Sequence, residues 1–401
     1  MMSKQKKLSM KDRLTIHIKK KKPARLWVLL VVSAALMACL IMMGLVGGKV
    51  SRTEAPAALT TSKVQFRMTV TGDVTVDDNT RTLANQMSYE RLLRGVSRYW
   101  SDADVVMANI SGPILRYSAD NYTSRNSAMD QSSYVRPAAM RGFAEAGINL
   151  LSFANEEVFN YGITGIRSTI SLLEEAKIDY LGITSQSDQP YYKTFEFDYV
   201  GEDGLLEQRS VSVLSINDIV QDNSTVRAAR PGVINSTIPS IFETVYLLSE
   251  SSDVVVAYVH FGDLHSSKVT DEQRELAQSL IDAGADLVVG TNTHTVQPVE
   301  RYGSGVIVYG LGELLSTEDY SVSNDGALLD LSIRNSGEVV VYLTPTHIEE
   351  GRPAITDNWL YEQRVKSVLT TSLSENDYRI TDDGLIRISL GYLETKAEDG
   401  E

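Results

Sequence analysis

One cysteine, Cys39, stands in 401 residues. With no second thiol the chain forms no internal disulfide, so whatever it folds into must be held by its core alone. Aromatic residues are sparse at 7%, and there are only five histidines, which leaves a short list for any imidazole chemistry. Positive charge is concentrated at the start. In the first 25 residues ten Lys and Arg stand against the single acid Asp12, a net +9, and since the whole chain is at −14 the remainder carries −23. An acidic body of this kind offers no general basic field, which argues against nucleic acid as a partner and leaves anion binding to a local basic or cation-filled cleft. Internal repeats, low-complexity blocks and a second linker are also missing between residues 65 and 395, so one domain is the simplest count.

What the chain does have is 43% hydrophobic residues, enough for a substantial core, and one long uncharged run, Leu26–Val46. At about 1.5 Å per residue a helix of that length reaches roughly 31 Å, the thickness of a bilayer's hydrocarbon core. The basic block before the run and the scattered charge after it (Lys49, Arg52, Glu54) orient it with the N-terminus in the cytoplasm. The expected organisation is a basic cytoplasmic tail (1–25), a transmembrane signal anchor (26–48), a small, polar, proline-bearing linker (49–64) and an extracytoplasmic domain (65–395). The protein is thus expected in the cell membrane, single-pass, with its main domain outside. A cleaved signal peptide is the rival reading, but its apolar stretch is usually about 7 to 15 residues. "LMAC" at 36–39 resembles the end of a lipoprotein signal, yet the apolar run continues past Cys39.

Beyond the linker, helical and strand patterns alternate. "QFRMTV" leads into "TGD". "ANQMSYERLLRGVSRYW" reads as one helix and "DVVMANI" as a buried strand. "RPAAMRGFAEAG" is a helix with Pro137 in its first turn, and "INLLSFA" the strand after it. "GITGIRSTISLLEEAKI", "SDVVVAYVHF", "DEQRELAQSLIDAG", "ADLVVG" and "SGVIVYGLG" continue the rhythm. Hairpins turning at "GEDG" and "NSGE" add antiparallel strands, and a helix over "DNWLYEQRVKSVLTTSLSEND" and a strand "LIRISLG" close the pattern. The class is α/β with a mixed sheet whose apolar strands are covered on both faces.

Residues with ligand chemistry fall repeatedly where an apolar strand stops: Asp73, Asn109, Asn155 with Glu156 and Glu157, His260, His294 in "GTNTH", and Glu313. In α/β sheets the loops at the carboxyl ends of strands are where ligand sites are built. Each residue also has a plainer use. Asp73 is placed to cap the following helix, and the two histidines to be satisfied by neighbouring backbone. Glu156 and Glu157 suit a first helical turn, and Asn109 and Asn155 suit the tying of loops.

The order and context of these stretches resemble the CapA family of capsule synthesis, also called the poly-γ-glutamate capsule proteins, whose fold is similar to that of the calcineurin-like metallophosphatases. The family pattern reads GD, NLE, ANNH followed by DYG, HWG, GxHPH and YSLGNF. Here the corresponding stretches are "TGD", "NISGP" from Asn109, "ANEEVFNYG" from Ala154, "HFGDL" from His260, "GTNTH" from Gly290 and "YGLGEL" from Tyr309, spanning about 66–318. The resemblance implies an α/β/β/α sandwich of two mixed sheets. It implies metal ligation at Asp73, Asn109, Asn155, His260 and His294, with the two histidines also catalytic.

Departures stand beside these matches. Ser111 replaces the acid of NLE. Glu156 and Glu157 replace the second Asn and the His of ANNH, Asn292 and Thr293 the first His and the Pro of GxHPH, and Glu313 the Asn of LGNF. Two imidazoles and a carboxylate are gone, which counts against a histidine-built Zn²⁺ or Fe centre. Glu157 and Glu313 add carboxylates, so a rewired set of Asp73, Asn109, Asn155, Glu157, His260, His294 and Glu313 would suit a harder ion, Mn²⁺, Mg²⁺ or Ca²⁺. Two functions remain open. One is a membrane-anchored protein with a degenerate metal site that serves a cell-surface polymer, poly-γ-glutamate or polysaccharide, or its synthesis or export complex. The other is a metal-dependent hydrolase of phosphoester or γ-glutamyl bonds. For a polyanion partner, Arg125, Arg136 and Arg141 form the candidate local basic cluster.

Overall fold

The computed structural model describes residues 54–60, 63–117, 122, 134–201, 204–317 and 324–393, together with 30–35 and 37. The chain divides into two units, Met1–Val50 and Ser51–Glu401. In the first, residues 30–35 and 37 are helical. No helix among the described residues is long and apolar enough to cross a membrane, and the expected basic tail and most of the expected span lie outside the described residues.

The second unit opens with β1 (Val64–Thr75), α1 (Asp78–Met87), α2 (Tyr89–Leu92), α3 (Arg94–Ser97), β2 (Val105–Ser111), α4 (Pro137–Glu145), β3 (Leu150–Ser152), α5 (Gly162–Ala176), β4 (Asp179–Leu181) and β5 (Ile183–Thr184). It continues through β6 (Tyr192–Val200), β7 (Leu206–Asn217), β8 (Gly232–Val233), α6 (Ile241–Ser251), β9 (Val254–His260), α7 (Asp271–Asp282), β10 (Leu287–Thr291), β11 (Val299–Tyr302), β12 (Gly305–Val308) and β13 (Glu313–Leu315). Last come β14 (Asp325–Arg334), β15 (Glu338–Glu349), β16 (Arg352–Ile355), α8 (Trp359–Thr370), β17 (Arg379–Ile380) and β18 (Ile386–Tyr392).

Two expectations are corrected by local chemistry. The single helix expected over residues 84–100 is three. Asp77 caps α1 by accepting from Thr80 N–H at 2.7 Å, and Ser88, at φ 70°, ends α1 and caps α2 in turn. Nor is the expected linker wholly a tether, because Leu59 is buried in the core and Ala55 and Ala58 pack against it.

Two large sheets form. The first runs β17-β18-β15-β14-β1-β2-β3-β4, with β13 beside β1 and β16 beside β15; β1 to β4 are parallel and the β14–β15 side antiparallel. The second runs β11-β12-β10-β9-β7-β6, parallel at its centre with antiparallel edges. Strand alternation decides the layers. Phe66, Met68, Val70, Val105 and Met107 of the first sheet meet Val211, Val213, Val254, Val256, Tyr258, Leu287 and Val289 of the second in one cluster, so the sheets pack face to face. On the outer face of the first sheet, Val106, Ala108 and Ile110 pack with Tyr89, Leu92, Phe143, Ile166 and Leu173 of α2, α4 and α5. On the outer face of the second, Val255, Ala257 and Val259 pack with Ile241, Val245, Ala277 and Leu280 of α6 and α7. The order is helix, sheet, sheet, helix, as the sequence leads one to expect.

Candidate functional site

A single extra residue in β1 builds the site. From Val70 to Asp73 the strand advances three residues while β2 advances two, from Met107 to Asn109. Before this bulge the even residues Phe66, Met68 and Val70 face the second sheet. After it Val74 and Val76 sit in the cluster under the helices, so Asp73 has been turned toward the second sheet. The bulge is braced from across the sandwich, where Tyr258 of β9 donates its hydroxyl to the Thr71 carbonyl at 2.9 Å. Burial pushes that phenol well above its ordinary range. Gly72 permits a close approach on the other side: a Cβ there would lie 1.9 Å from the Gly312 carbonyl oxygen, which accepts from Asp73 N–H at 3.1 Å.

Asp73 then meets residues from β2, β9 and the end of β10. Its Oδ1 accepts from Asn109 Nδ2 at 2.6 Å, and its Oδ2 from the Asn292 backbone N–H at 2.9 Å. Asn155 donates Nδ2 to Asn109 Oδ1 at 3.2 Å and to the Ile110 carbonyl at 2.8 Å, while its Oδ1 accepts from Val158 N–H at 3.0 Å. His260 turns Nδ1 toward Thr291 Oγ1 at 3.1 Å, with Asp73 Oδ1 at 4.0 Å, and pairs Nε2 with Glu156 Oε2 at 2.9 Å. Asp73, Asn109 and Asn155 have no exposed surface, and His260 keeps 4%. Burial acts to raise the Glu156 carboxyl, but the charge and hydrogen bond of His260 outweigh it and hold the group below its usual range. For His260 burial acts to lower, and the charges of Glu156 first, then Asp73 and Glu157, raise it.

A second acid–imidazole contact lies close by. His294 Nδ1 is 2.8 Å from Glu313 Oε1, whose carboxylate is buried and also accepts from Thr75 Oγ1 at 3.1 Å. Glu313 is placed by β13, where it registers with Asp73. The loop that delivers His294 is bent hard, with Asn292 at φ 88° and His294 at φ 54°, left-handed conformations that non-glycine residues adopt rarely and that concentrate at functional sites. The His265 ring meets that of His294 edge-on at 5.6 Å. The charge of His294 also contributes to lowering Glu156, so the two pairs share one electrostatic neighbourhood.

Six of the seven expected site residues thus gather at one end of the sheets. Asp73, Asn109, Asn155 and His260 form one hydrogen-bonded network, and His294 and Glu313 form a pair beside it. Glu157 opens a 3-10 turn, Glu157–Phe159, and its charge acts on His260, whereas its neighbour Glu156 makes the hydrogen bond to that ring. Thr75, Thr291 and Asn292 were not singled out from the sequence as ligands or partners; a position at a strand end next to a singled-out residue is the one signal they carried. The cap of the first helix falls to Asp77 rather than Asp73.

A cation centre requires carboxylate, imidazole or amide atoms that can turn on the ion. Asp73 engages both its oxygens and His260 both its nitrogens within the protein, Asn109 and Asn155 hold one another, and the Asn292 side chain turns away to donate to the Gly262 carbonyl at 2.6 Å. Among the described residues no group of three or more His, Cys, Asp or Glu is arranged to hold a metal ion. Asp73, Asn109, Asn155 and His260 of the expected Mn²⁺, Mg²⁺ or Ca²⁺ set are thus arranged for each other, and no chemical step is routed through a cation.

Residues 67–318, more than half of the chain, match the family described as "Bacterial capsule synthesis protein PGA_cap". The chain belongs to this capsule synthesis family. "Capsule biosynthesis protein CapA" of Bacillus anthracis is 26% identical over 391 residues, 96% of this chain and 92% of that one. "PGA biosynthesis protein CapA" of Bacillus subtilis is 23% identical over 308 residues, 76% of this chain and 77% of that one. Among solved structures, a calcineurin-like phosphoesterase of Bacillus subtilis aligns with 76% of this chain and 97% of its own at 12% identity and TM-score 0.40, a likeness too loose to carry an argument. The family match covers every residue of the network described above.

Proposed function

We propose that this capsule-family chain works at the outer face of the cell membrane in the synthesis or export of an acidic cell-surface polymer, poly-γ-glutamate, by binding or organising the polymer or its export complex. The observation that carries the polymer role is the family match over residues 67–318, supported by relatives whose names refer to capsule and PGA biosynthesis. The anchoring rests on the uncharged run Leu26–Val46 behind a basic tail. A binding role rather than two-metal hydrolysis is favoured by the engagement of the Asp73, Asn109 and His260 donor atoms with one another. The acidic body repels a polyanion, so contact requires bridging cations or a local basic patch. Arg136 and Arg141 are exposed at α4 and suit that patch; Arg125, the third residue of the expected cluster, lies outside the described residues.

The test is deletion of the gene in a polymer-producing host, with complementation by the full chain and by a chain lacking residues 26–46. Surface polymer is expected to fall on deletion and to return only with the full chain; undiminished polymer in the deletion strain would overturn the reading. A second reading, a hydrolase of phosphoester or γ-glutamyl bonds, draws on the convergence of Asp73, Asn109, Asn155, His260 and His294 at one end of the sheets. It predicts release of phosphate or glutamate from such substrates by the purified chain with Mn²⁺, Mg²⁺ or Ca²⁺ added, lost in His294→Ala.

A further inference from the structure

We propose that the pairs Glu156–His260 and Glu313–His294 replace bridging cations in this chain, so that its strand-end site is structurally complete without a divalent ion. The inference rests on the site geometry and not on the polymer role, so either can fail alone.

The first support is where the acids fall. Both Glu156 and Glu313 stand at positions where the motifs this chain resembles carry a neutral asparagine, and each lands on one of the two histidines retained from those motifs. Glu156 Oε2 lies 2.9 Å from His260 Nε2, and Glu313 Oε1 lies 2.8 Å from His294 Nδ1. A buried imidazole that no longer faces a cation needs another polar partner, because burying its nitrogens without one is unfavourable. Glu156 supplies that partner to His260 by a hydrogen bond, and Glu313 lies against His294 Nδ1 as a charge contact that compensates the imidazole there.

The second support is the fate of the other ligand-type atoms. Asp73, which in a two-cation centre would face the ions, accepts instead from Asn109 Nδ2 and from the Asn292 N–H. The second of these bonds depends on the positive φ of Asn292, the residue that stands where the resembled motif has its first histidine. At the position of the lost imidazole, the Asn292 side chain donates to Gly262 O at 2.6 Å and is engaged there. Protein-internal donors and acceptors therefore close the space from three sides: β1 with β2, β9 with the Glu156 turn, and the β10 loop with β13.

The test compares the full-length chain, purified in detergent after chelation, with three variants, reading metal content, calorimetric titration with Mn²⁺, Mg²⁺, Ca²⁺ and Zn²⁺, and Tm with and without each ion. The native chain is expected to retain well under one ion per molecule and to show the same Tm with metal and with chelator. Glu313→Gln, which keeps the side chain's shape, is expected to lower Tm by several degrees with no gain of metal dependence. The variant Glu156→Asn, Glu157→His, Asn292→His, Glu313→Asn, which restores both lost imidazoles of the resembled pattern and leaves Ser111 in place, is expected to acquire a metal-dependent rise in Tm. Stoichiometric, Tm-raising binding of any of the four ions by the native chain, abolished in Asp73→Ala, would overturn the proposal. So would an unchanged Tm in Glu313→Gln, and that measurement stands even if the fourfold variant does not fold.

Discussion

The two halves of β1 carry two buried polar networks of opposite character. In the first half, Arg67 lies against Asp330 at 2.9 Å, Thr69 donates to the same carboxylate at 2.6 Å, and Tyr99 bridges from Asp330 Oδ2 at 2.9 Å to Thr344 at 2.6 Å. One cation meets one anion, and Arg67 also donates to the Tyr99 carbonyl at 3.0 Å, all within the helix-covered face of the sheet. In the second half, beyond the bulge, Asp73 faces the other sheet among Asn109, Asn292 and His260, with Glu156 paired to His260 and Glu313 set against His294. The first network is balanced in charge and closed to solvent, with one guanidinium nitrogen, Arg67 Nη1, buried without a hydrogen-bond partner. The second is acid-rich, and it reaches the surface through Glu156 and His294, which keep 18% and 14% of their side-chain surface exposed. Burial alone does not separate structure from function; charge compensation and access do.

Disrupting the closed network should have the largest effect on stability. Arg67→Ala leaves Asp330 buried without its cation and is expected to cost about 3–5 kcal/mol, measured by denaturant unfolding of the purified chain. A loss below about 1 kcal/mol would mean that the pair is not the anchor that the comparison makes it. The next largest effect belongs to the bulge. Gly72→Ala places a methyl group inside contact distance of the Gly312 carbonyl, a backbone atom that no side-chain rotation can move away. A cost of about 1–3 kcal/mol is expected, together with displacement of Asp73 from Asn292, visible as a shifted Asn292 amide resonance. A third change sharpens the contrast from across the sandwich. Tyr258→Phe removes the donor to Thr71 O and leaves that carbonyl buried and unpaired, for an expected loss of about 1–2 kcal/mol in the same unfolding assay.

The bulge also marks the limit of what the sequence shows. Phe66, Met68, Val70, Val74 and Val76 are all even-numbered, and alternation read from sequence puts them on one face of one strand. The structure divides them between two faces, because one residue is inserted opposite β2, and register against a partner strand is a property of the pairing rather than of either segment. Gly72 was the available local hint, since a glycine inside a strand pattern often marks a bulge or a close backbone approach. The α/β rhythm, both hairpins and the strand-end positions of Asn155, His260 and His294 were legible, because each depends on local periodicity; Asp73 and Asn109, expected past the ends of their strands, lie inside β1 and β2, and Glu313 opens β13. The choice of Glu156 over Glu157 was not. It depends on how the 3-10 turn after Asn155 is directed, which Asn155 itself fixes by accepting from Val158 N–H.

A pH-dependent effect tests the opposite end of the second sheet, where β10 begins rather than where it delivers Asn292 and His294. Asp286 accepts from Val255 N–H at 2.8 Å, and burial raises its carboxyl from 3.8 to about 6 despite that bond. Its folded value lies above its unfolded one, so between about pH 4 and about pH 6 the unfolded chain has released a proton that the folded chain still holds. This group's contribution is therefore most favourable at the acid end of that window and is lost as pH rises through it, an effect of about 3 kcal/mol over the whole window. Asp286→Asn keeps an acceptor for Val255 and removes the titration. Unfolding free energies of the two proteins should differ in slope between pH 4 and pH 6 and run parallel above about pH 7. Parallel curves throughout would show that Asp286 is solvated like any surface acid.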